Sequence, residues 1–170
     1  EINELVFLGL AIPRQPIADP TASFFEKGMD SNYIEYNQKL ANRLLDELGL
    51  KKNGKFRTFS DGSELSLLLE FWSGKANVPE VSELIKGYWE KVGVKTTLKP
   101  SEATYYRKRL VANETDLGNW AIGGGSEIYS RKAAPIRWRP PWHWPHTALG
   151  GVEWWNWYDS NGQSGEIPPK

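Results

Sequence analysis

Three segments typical of β-strands alternate with two segments typical of α-helices between residues 65 and 122, and this alternation constrains the fold more than any other feature of the chain. The strand segments are 65–72, 94–98 and 116–122, and the helical segments are 78–92 and 101–112. Parallel strands need a crossover connection, usually a helix, and each of the first two strand segments is followed by one. The order strand–helix–strand–helix–strand therefore predicts an α/β fold with a small, mainly parallel sheet.

The composition of the individual segments supports this assignment. Residues 65–72 are apolar enough for a central strand that is covered on both faces. Residues 78–92 carry an apolar stripe at helical spacing, and Gly93 ends the helix; the stripe is Val81, Leu84, Ile85, Tyr88 and Val92. Ser101 is a predicted N-cap for the second helix, which runs to about Ala112.

Upstream of this region the pattern predicts one further helix and a hairpin. Asn37 is a suitable N-cap for a helix over 38–48, Gly49 ends it, and one face carries Leu40, Leu44, Leu45 and Leu48. Residues 56–59 precede Asp61-Gly62, a pair that tolerates the positive φ angles of tight turns. We therefore predict a β-hairpin in which residues 56–59 pair with the apolar strand that follows the turn.

Length and charge exclude several classes of function. The chain has 170 residues, the size of one domain, and its 21 lysines and arginines equal its 21 aspartates and glutamates. A chain without net charge has no overall field to attract nucleic acid or an anionic membrane. It has no cysteine and no apolar run near the roughly 18–20 residues of a membrane span. Because the apolar segment 5–10 stands almost at residue 1, we expect the chain to be a piece of a longer polypeptide.

Aromatic residues and the strand ends provide the candidate binding residues. Nine tryptophans are present, and six of them fall within residues 138–157. Ligands of open parallel sheets lie beyond the carboxyl ends of the strands, which here are residues 71–74 and 120–125. Glycines let backbone amides approach a ligand, and aromatic faces pack against it. The candidate ligand-binding residues are Trp120, Ile122, Gly123, Gly124, Trp72 and Trp142, although packing of these tryptophans in the core is an alternative.

No catalytic residue, metal ligand or cofactor is predicted. His143 and His146 have no third ligand nearby, and Pro145 disfavours a continuous helix through the pair. Six acids could in principle hydrolyse a glycoside, but no spacing singles out a pair: Glu26, Asp30, Asp116, Glu127, Glu153 and Asp159. The chain also lacks a nucleophile elbow and a phosphate-binding loop.

Several segments together resemble a known family. They are Tyr36-Asn37 before 41–50, Phe56-Arg57 with Asp61-Gly62 and the apolar strand, then 83–96 and 113–117. In their order and spacing these segments are similar to bacterial extracellular solute-binding proteins of family 5, the oligopeptide and nickel type. The terminal stretch 157–169 is similar to a subgroup of this family with tryptophan-rich C-terminal lobes. Members of that family are two-lobed receptors of ABC importers, and none of these segments is a catalytic signature.

The resemblance implies a partial C-terminal lobe, periplasmic-binding-protein-like (type II), with helices flanking the sheet. Within residues 1–170 it implies an irregular lead-in over 1–35, an α/β core over 36–125 and aromatic-rich loops over 126–170. The expected partners are a small solute, the missing N-terminal lobe of the same protein and the membrane subunits of the importer. The expected location is periplasmic or extracellular, with a lipoprotein anchor on the full-length protein.

The resemblance leaves the solute open. Peptide-binding members place an aspartate shortly after the tryptophan of the last strand, where it pairs with the peptide ammonium group. Residues 121–126 contain no acid, which favours an oligosaccharide or a related neutral solute over a free peptide. Two other classes remain as alternatives, a carbohydrate-binding module and a fragment of a glycoside-acting enzyme.

Overall fold

The structure is a computed structural model that describes residues 1–15, 20, 23, 25–119 and 152–168. The helices are α1 (Ile2–Phe7), α2 (Gln38–Glu47), α3 (Val78–Lys91), α4 (Ala103–Val111) and α5 (Val152–Asp159). The strands are β1 (Lys51–Asn53), β2 (Phe56–Thr58), β3 (Ser66–Trp72), β4 (Lys95–Ser101) and β5 (Leu117–Asn119). The described residues fall into two compact units: the first holds α1 to α3 and all five strands, and the second holds α4, α5 and the segment around residues 25–34.

The predicted parallel sheet is confirmed. Its strand order is β4-β3-β5, with β3 in the centre and parallel to both neighbours. The full length of β3 pairs with β4, from Ser66 opposite Lys95 to Trp72 opposite Ser101. Because α3 lies between β3 and β4 in the chain and packs against both, it is the crossover helix that parallel pairing requires. The chain is thus a mixed α/β protein.

The core of the first unit surrounds the centre of this sheet. Leu69 and Phe71 of β3 are 3% and 4% exposed, and the apolar composition of that strand accounts for this burial. Val78, Val92 and Val94, which lie at the two ends of α3 and just before β4, are buried with them. Of the predicted helix stripe, Val92 is buried, and Val81, Leu84, Ile85 and Tyr88 are half-buried.

The predicted hairpin forms next to its turn but does not extend along β3. The turn exists, since the Phe59 N–H donates to Ser63 O at 2.8 Å and Gly62 has a φ of 86°. Thr58 bridges Glu64, and Leu65 N–H donates to Arg57 O at 2.7 Å, but β2 otherwise pairs antiparallel with β1, and β3 pairs with β4 and β5. β3 is apolar, and pairing with a parallel strand on each side buries it in the centre of a sheet, which pairing with the three-residue β2 would not do.

The predicted helix cap at Ser101 is wrong. Ser101 is the last residue of β4 and is 5% exposed, and α4 begins at Ala103. Its hydroxyl donates to the buried carboxylate of Glu70 on the neighbouring strand. The Ser101 hydroxyl is therefore bonded to Glu70 on the neighbouring strand, whereas the sequence pattern predicted that it would cap the helix.

The predicted cap of α2 is confirmed. The backbone N–H of Leu40 donates to Asn37 Oδ1 at 2.9 Å, which satisfies one of the unpaired donors at the start of the helix. Gly49 follows the helix with a φ of 78°, a conformation that glycine adopts without strain. Leu48, the last leucine of the predicted stripe, is 75% exposed in the described structure.

An Asn37→Ala variant is expected to lose about 1 kcal/mol of folding free energy, because Leu40 N–H then loses its side-chain acceptor. Urea unfolding followed by circular dichroism measures the loss. The matched variant Asn37→Asp keeps an acceptor oxygen and is expected to remain as stable as the wild type. Equal loss in both variants would contradict the capping role.

A tyrosine and the first residue of the chain interact at the surface of α3. The Tyr88 hydroxyl donates to Glu1 Oε2 at 2.7 Å. This hydrogen bond favours the protonated phenol and raises the pKa of Tyr88 to about 12. The ring centroids of Tyr36 and Tyr88 lie 5.1 Å apart. Lys91, which is also on α3, has its Nζ 5.1 Å from the centroid of the Tyr88 ring. The start of the chain is thereby tied to α3.

The second unit has its own buried residues. Tyr106 of α4 and Val152 of α5 are 2% and 3% exposed. After α5 the chain turns back, and the Glu166 N–H donates to Glu153 O at 3.0 Å. Gly165, with a φ of 84°, allows this return, since a Cβ atom there would lie 2.2 Å from Glu153 O. In the part of the chain that the structure describes, no helix has the length and apolar character needed to cross a membrane.

Candidate ligand-binding edge

The carboxyl ends of the three parallel strands define the candidate site. β3 ends at Trp72, which pairs in register with Ser101, the last residue of β4. β5 is described as far as Asn119, which pairs with Phe71. Parallel strands end at the same edge of their sheet, and open α/β sheets bind ligands outside that edge. We call the end of β3 and β4, residues 70–74 and 99–101, the carboxyl edge.

One face of the carboxyl edge carries polar side chains and a tryptophan. Side chains alternate between the faces of a strand, so Glu70 and Trp72 share a face with the residues opposite them, Lys99 and Ser101. The Ser101 Oγ donates to Glu70 Oε1 at 2.6 Å, and Lys99 Nζ lies 3.8 Å from the same oxygen. Glu70 is 0% exposed, whereas the Lys99 side chain is 32% exposed. The buried carboxylate therefore accepts a hydrogen bond from a hydroxyl and pairs with a partly exposed ammonium group.

Ser101 also accepts hydrogen bonds that connect the backbone of the carboxyl edge. Ser73 follows β3, and both its N–H and its hydroxyl donate to Ser101 O, at 3.0 and 3.3 Å. Ser101 thus bonds through its side chain to Glu70 and through its carbonyl to Ser73. These bonds join the ends of β3 and β4 on either side of Trp72.

The indole of Trp72 packs against Gly74, which has no side chain to clash with it. Trp72 is half-buried, and a Cβ atom built on Gly74 would lie 2.6 Å from its Nε1 and 3.0 Å from its Cε2. No real Cβ atom approaches so closely, so any residue larger than glycine at this position displaces the ring. Gly74 does not have a positive φ, and its role is therefore to provide space for the indole rather than to allow a turn.

On the side of β3 that pairs with β5, the backbone of Leu68 is hydrogen-bonded to a side chain. Asp116 precedes β5, and its Oδ2 accepts the backbone N–H of Leu68 at 2.8 Å. β5 pairs with β3 only from Leu69 onward, so Asp116 takes the place of a backbone acceptor one residue before the ladder begins. This acid was a candidate for catalysis in the sequence, and in the structure it is bonded to the sheet backbone.

The structure places one of the six predicted site residues at the carboxyl edge. That residue is Trp72, and the other five lie outside the described residues: Trp120, Ile122, Gly123, Gly124 and Trp142. Their roles, and that of Trp72 in binding, stay predictions. Within residues 1–15, 25–119 and 152–168, no three His, Cys, Asp or Glu side chains cluster so that they could hold a metal ion.

Sequence reasoning missed Glu70, Ser101 and Gly74. Glu70 is a lone acid within an apolar strand, and that interruption is the signal that could have marked it. The contact with Ser101 joins residues 31 positions apart and depends on the register of two strands. The role of Gly74 depends on the side-chain direction of Trp72. Neither can be obtained from local patterns.

The small parallel sheet and its flanking helices place the chain in the class of open α/β folds, whose ligands bind beyond the carboxyl ends of the strands. Comparison with known protein families identifies the family within this class. Residues 1–128 match the family described as bacterial extracellular solute-binding proteins, family 5 Middle. The chain therefore belongs to this family of extracellular solute-binding proteins, which are binding proteins rather than enzymes.

Relatives and solved structures agree with this assignment. The chain is 29% identical over 130 residues to an oligopeptide-binding protein OppA of Lactococcus lactis subsp. lactis, covering 74% of the chain and 22% of that protein. It is 35% identical over 122 residues to the OppA of strain IL1403, covering 69% of the chain and 20% of that protein. The chain thus spans about a fifth of the length of these curated relatives.

Two solved structures show the same fold over nearly the whole chain. A structure of an oligopeptide-binding protein OppA matches with a TM-score of 0.79 and 26% identity, over 99% of this chain and 27% of its own. The structure of NikA from Brucella suis in complex with Fe(III)-EDTA matches with a TM-score of 0.70 and 23% identity, over 94% of this chain and 31% of its own. The predicted periplasmic-binding-protein-like fold is confirmed.

Proposed function

We propose that this chain contributes one side of the solute cleft in the substrate-binding component of an ABC importer. The observation that carries the proposal is the carboxyl edge, where Trp72 lies beside the paired ends of β3 and β4. Family membership supports the same role, and the chain spans about a fifth of its curated relatives, so the opposing side of the cleft belongs to another part of the polypeptide.

Transport by such a receptor depends on closure rather than on chemistry. An opposing N-terminal lobe closes on this one around the solute, and the closed shape is recognised by the membrane subunits of the importer. The chain catalyses no reaction in this scheme and needs no cofactor. The full-length protein acts outside the cytoplasmic membrane, held there as a lipoprotein.

The solute is an oligopeptide. Three curated relatives that are 29%, 30% and 35% identical to this chain are oligopeptide-binding proteins, which supports a peptide over a sugar. The sequence contains no acid within residues 121–126, so the peptide ammonium group is not held by a carboxylate from that segment. Recognition then depends on the peptide backbone and on apolar side chains, to which an aromatic edge is suited.

An oligosaccharide is the second candidate, favoured by the same absence of an acid and by the tryptophan content of the chain. The test uses the full-length protein that contains this chain. It is incubated with a random hexapeptide library with free termini, and separately with a mixture of malto-oligosaccharides. Retained molecules are identified by mass spectrometry after gel filtration, and binding is checked by thermal unfolding.

Retention of hexapeptides is expected, with a stabilisation of about 2.7 kcal/mol when free peptide is at 100 times its Kd. Retention of the oligosaccharides alone would overturn the peptide assignment but would leave the proposed role as a solute receptor in place. Hydrolysis of the oligosaccharides would identify a glycoside-acting enzyme instead. Tight sugar binding by the 170-residue chain alone would identify a carbohydrate-binding module, because half of a cleft loses most of its affinity.

A further inference from the structure

Glu70 stands where an apolar side chain would be expected. It lies in the middle of the central strand, between the buried residues Leu69 and Phe71, and is 0% exposed. Burying a carboxylate is unfavourable unless it is paired and hydrogen-bonded, and a protein in which apolar side chains replace the whole buried pair is often as stable or more stable. Strand stability alone therefore does not account for an acid at this position.

The contacts of Glu70 lead to the carboxyl edge. Its Oε1 accepts the Ser101 hydroxyl at 2.6 Å and lies 3.8 Å from Lys99 Nζ. Ser101 is the last residue of β4, and its carbonyl accepts both donors of Ser73. The carboxylate thus fixes the residue that joins the ends of β3 and β4, and Ser101 is the register partner of Trp72.

We propose that Glu70 is a positioning residue of the solute site, whose buried carboxylate holds Ser101 and thereby the carboxyl edge that presents Trp72 to the solute. The inference rests on the proposed function of the chain as one side of a solute cleft. Glu70 does not touch the solute, because it has no exposed surface. It acts through Ser101, as outer-shell partners hold the side chains that contact a ligand.

The test measures affinity and stability side by side in the full-length protein. The variants are Glu70→Leu, Glu70→Gln, Ser101→Ala and the double variant Glu70→Leu/Ser101→Ala. Glu64→Gln is the matched control, because Glu64 is 49% exposed and pairs with Lys95 at the surface of the same unit. The probe is the free-terminus hexapeptide library, with the amount retained at a series of concentrations giving the affinity.

Glu70→Leu is expected to bind the hexapeptides about tenfold more weakly or worse, and the double variant, which removes both partners of the buried hydrogen bond, is expected to have a Tm at or above that of Glu70→Leu. Glu70→Gln keeps an oxygen that accepts from Ser101 and is expected to recover most of the affinity. The double variant is expected to bind no more weakly than Glu70→Leu alone, because both changes remove the same contact. Glu64→Gln is expected to match the wild type in affinity.

Wild-type affinity in Glu70→Leu would overturn the proposal. So would a loss of affinity that follows a fall in Tm and is not recovered by Glu70→Gln, since this is the result of a merely structural role. Should Glu70→Leu fail to fold, Ser101→Ala decides, and unchanged hexapeptide affinity in that variant overturns the proposal. Failure of the wild type to retain either hexapeptides or malto-oligosaccharides would instead overturn the proposed function, before any variant is compared.

Discussion

An Arg57→Leu variant is expected to lose about 3–5 kcal/mol of folding free energy, because it removes a buried cation that several elements share. Arg57 lies on β2 and is 2% exposed. Its Nε donates to Val92 O at 2.8 Å, and its Nη1 donates to Leu50 O and to Asp46 at 2.6 Å. Its Nη2 donates to Asn42 Oδ1 at 2.7 Å. Leucine cannot donate to any of these acceptors, and the buried ones lose a hydrogen bond that water does not readily replace.

The position of Arg57 makes the loss global rather than local. The acceptors lie on α2, just after α2 and at the end of α3, so one guanidinium joins the hairpin of β1 and β2 to both helices. The backbone adds to this junction, since Arg57 N–H donates to Gly93 O at 2.8 Å. A Cβ atom on Gly93 would lie 2.9 Å from the Arg57 side chain, which shows how closely the elements pack.

Urea unfolding of Arg57→Leu and Asp46→Asn measures this effect with an internal control. Asp46 carries the opposite charge of the pair, but its side chain is 65% exposed. Removing an exposed partner is expected to cost at most about 1 kcal/mol, because the remaining acceptors keep the guanidinium bonded. Equal losses in the two variants would contradict the role of Arg57 as a buried junction and reduce the contact to an ion pair.

The elements that were predicted correctly are those whose signals are local. The Asn37 cap and the Gly49 stop bound α2 as expected, and β3, α3 and β4 follow each other in the predicted order. Each of these signals consists of residues within one turn or one strand, so no long-range contact is needed to interpret it. The parallel sheet then follows from the order of its elements.

The predictions that failed depend on competition between partners. Asp61-Gly62 does form a turn, but the turn does not decide which strand β3 pairs with. β1 has the sequence Lys-Lys-Asn, which carries no strand signal, and it nevertheless pairs with β2 across Gly54. Ser101 could cap a helix or end a strand, and only the distant Glu70 carboxylate decides between these roles.

The second large effect is expected at the carboxyl edge. A Gly74→Ala variant of the full-length protein is expected to bind hexapeptides about 30-fold more weakly, which corresponds to the roughly 2 kcal/mol of a well-packed aromatic contact. The added methyl group would lie 2.6 Å from Trp72 Nε1, so the indole must leave its position. Because the change moves a ring at the edge of the sheet, the Tm is expected to change little.

Gly87→Ala is the matched control for this change. Gly87 lies in α3, and a Cβ atom there meets no heavy atom within 4 Å. Alanine is favoured over glycine in a helix, so this variant is expected to gain about 0.5–1 kcal/mol of stability and to keep its affinity. The pair of variants thus adds the same methyl group to the same unit, once against Trp72 and once in open space.

Trp72→Ala separates the two steps of the argument, because it removes the ring without changing Gly74. If the ring contacts the solute, Trp72→Ala weakens hexapeptide binding at least as much as Gly74→Ala, and the two changes combined add little to either alone. Wild-type affinity in Trp72→Ala would remove Trp72 from the solute site. A loss in Trp72→Ala with none in Gly74→Ala would show that the ring binds from a position that Gly74 does not fix.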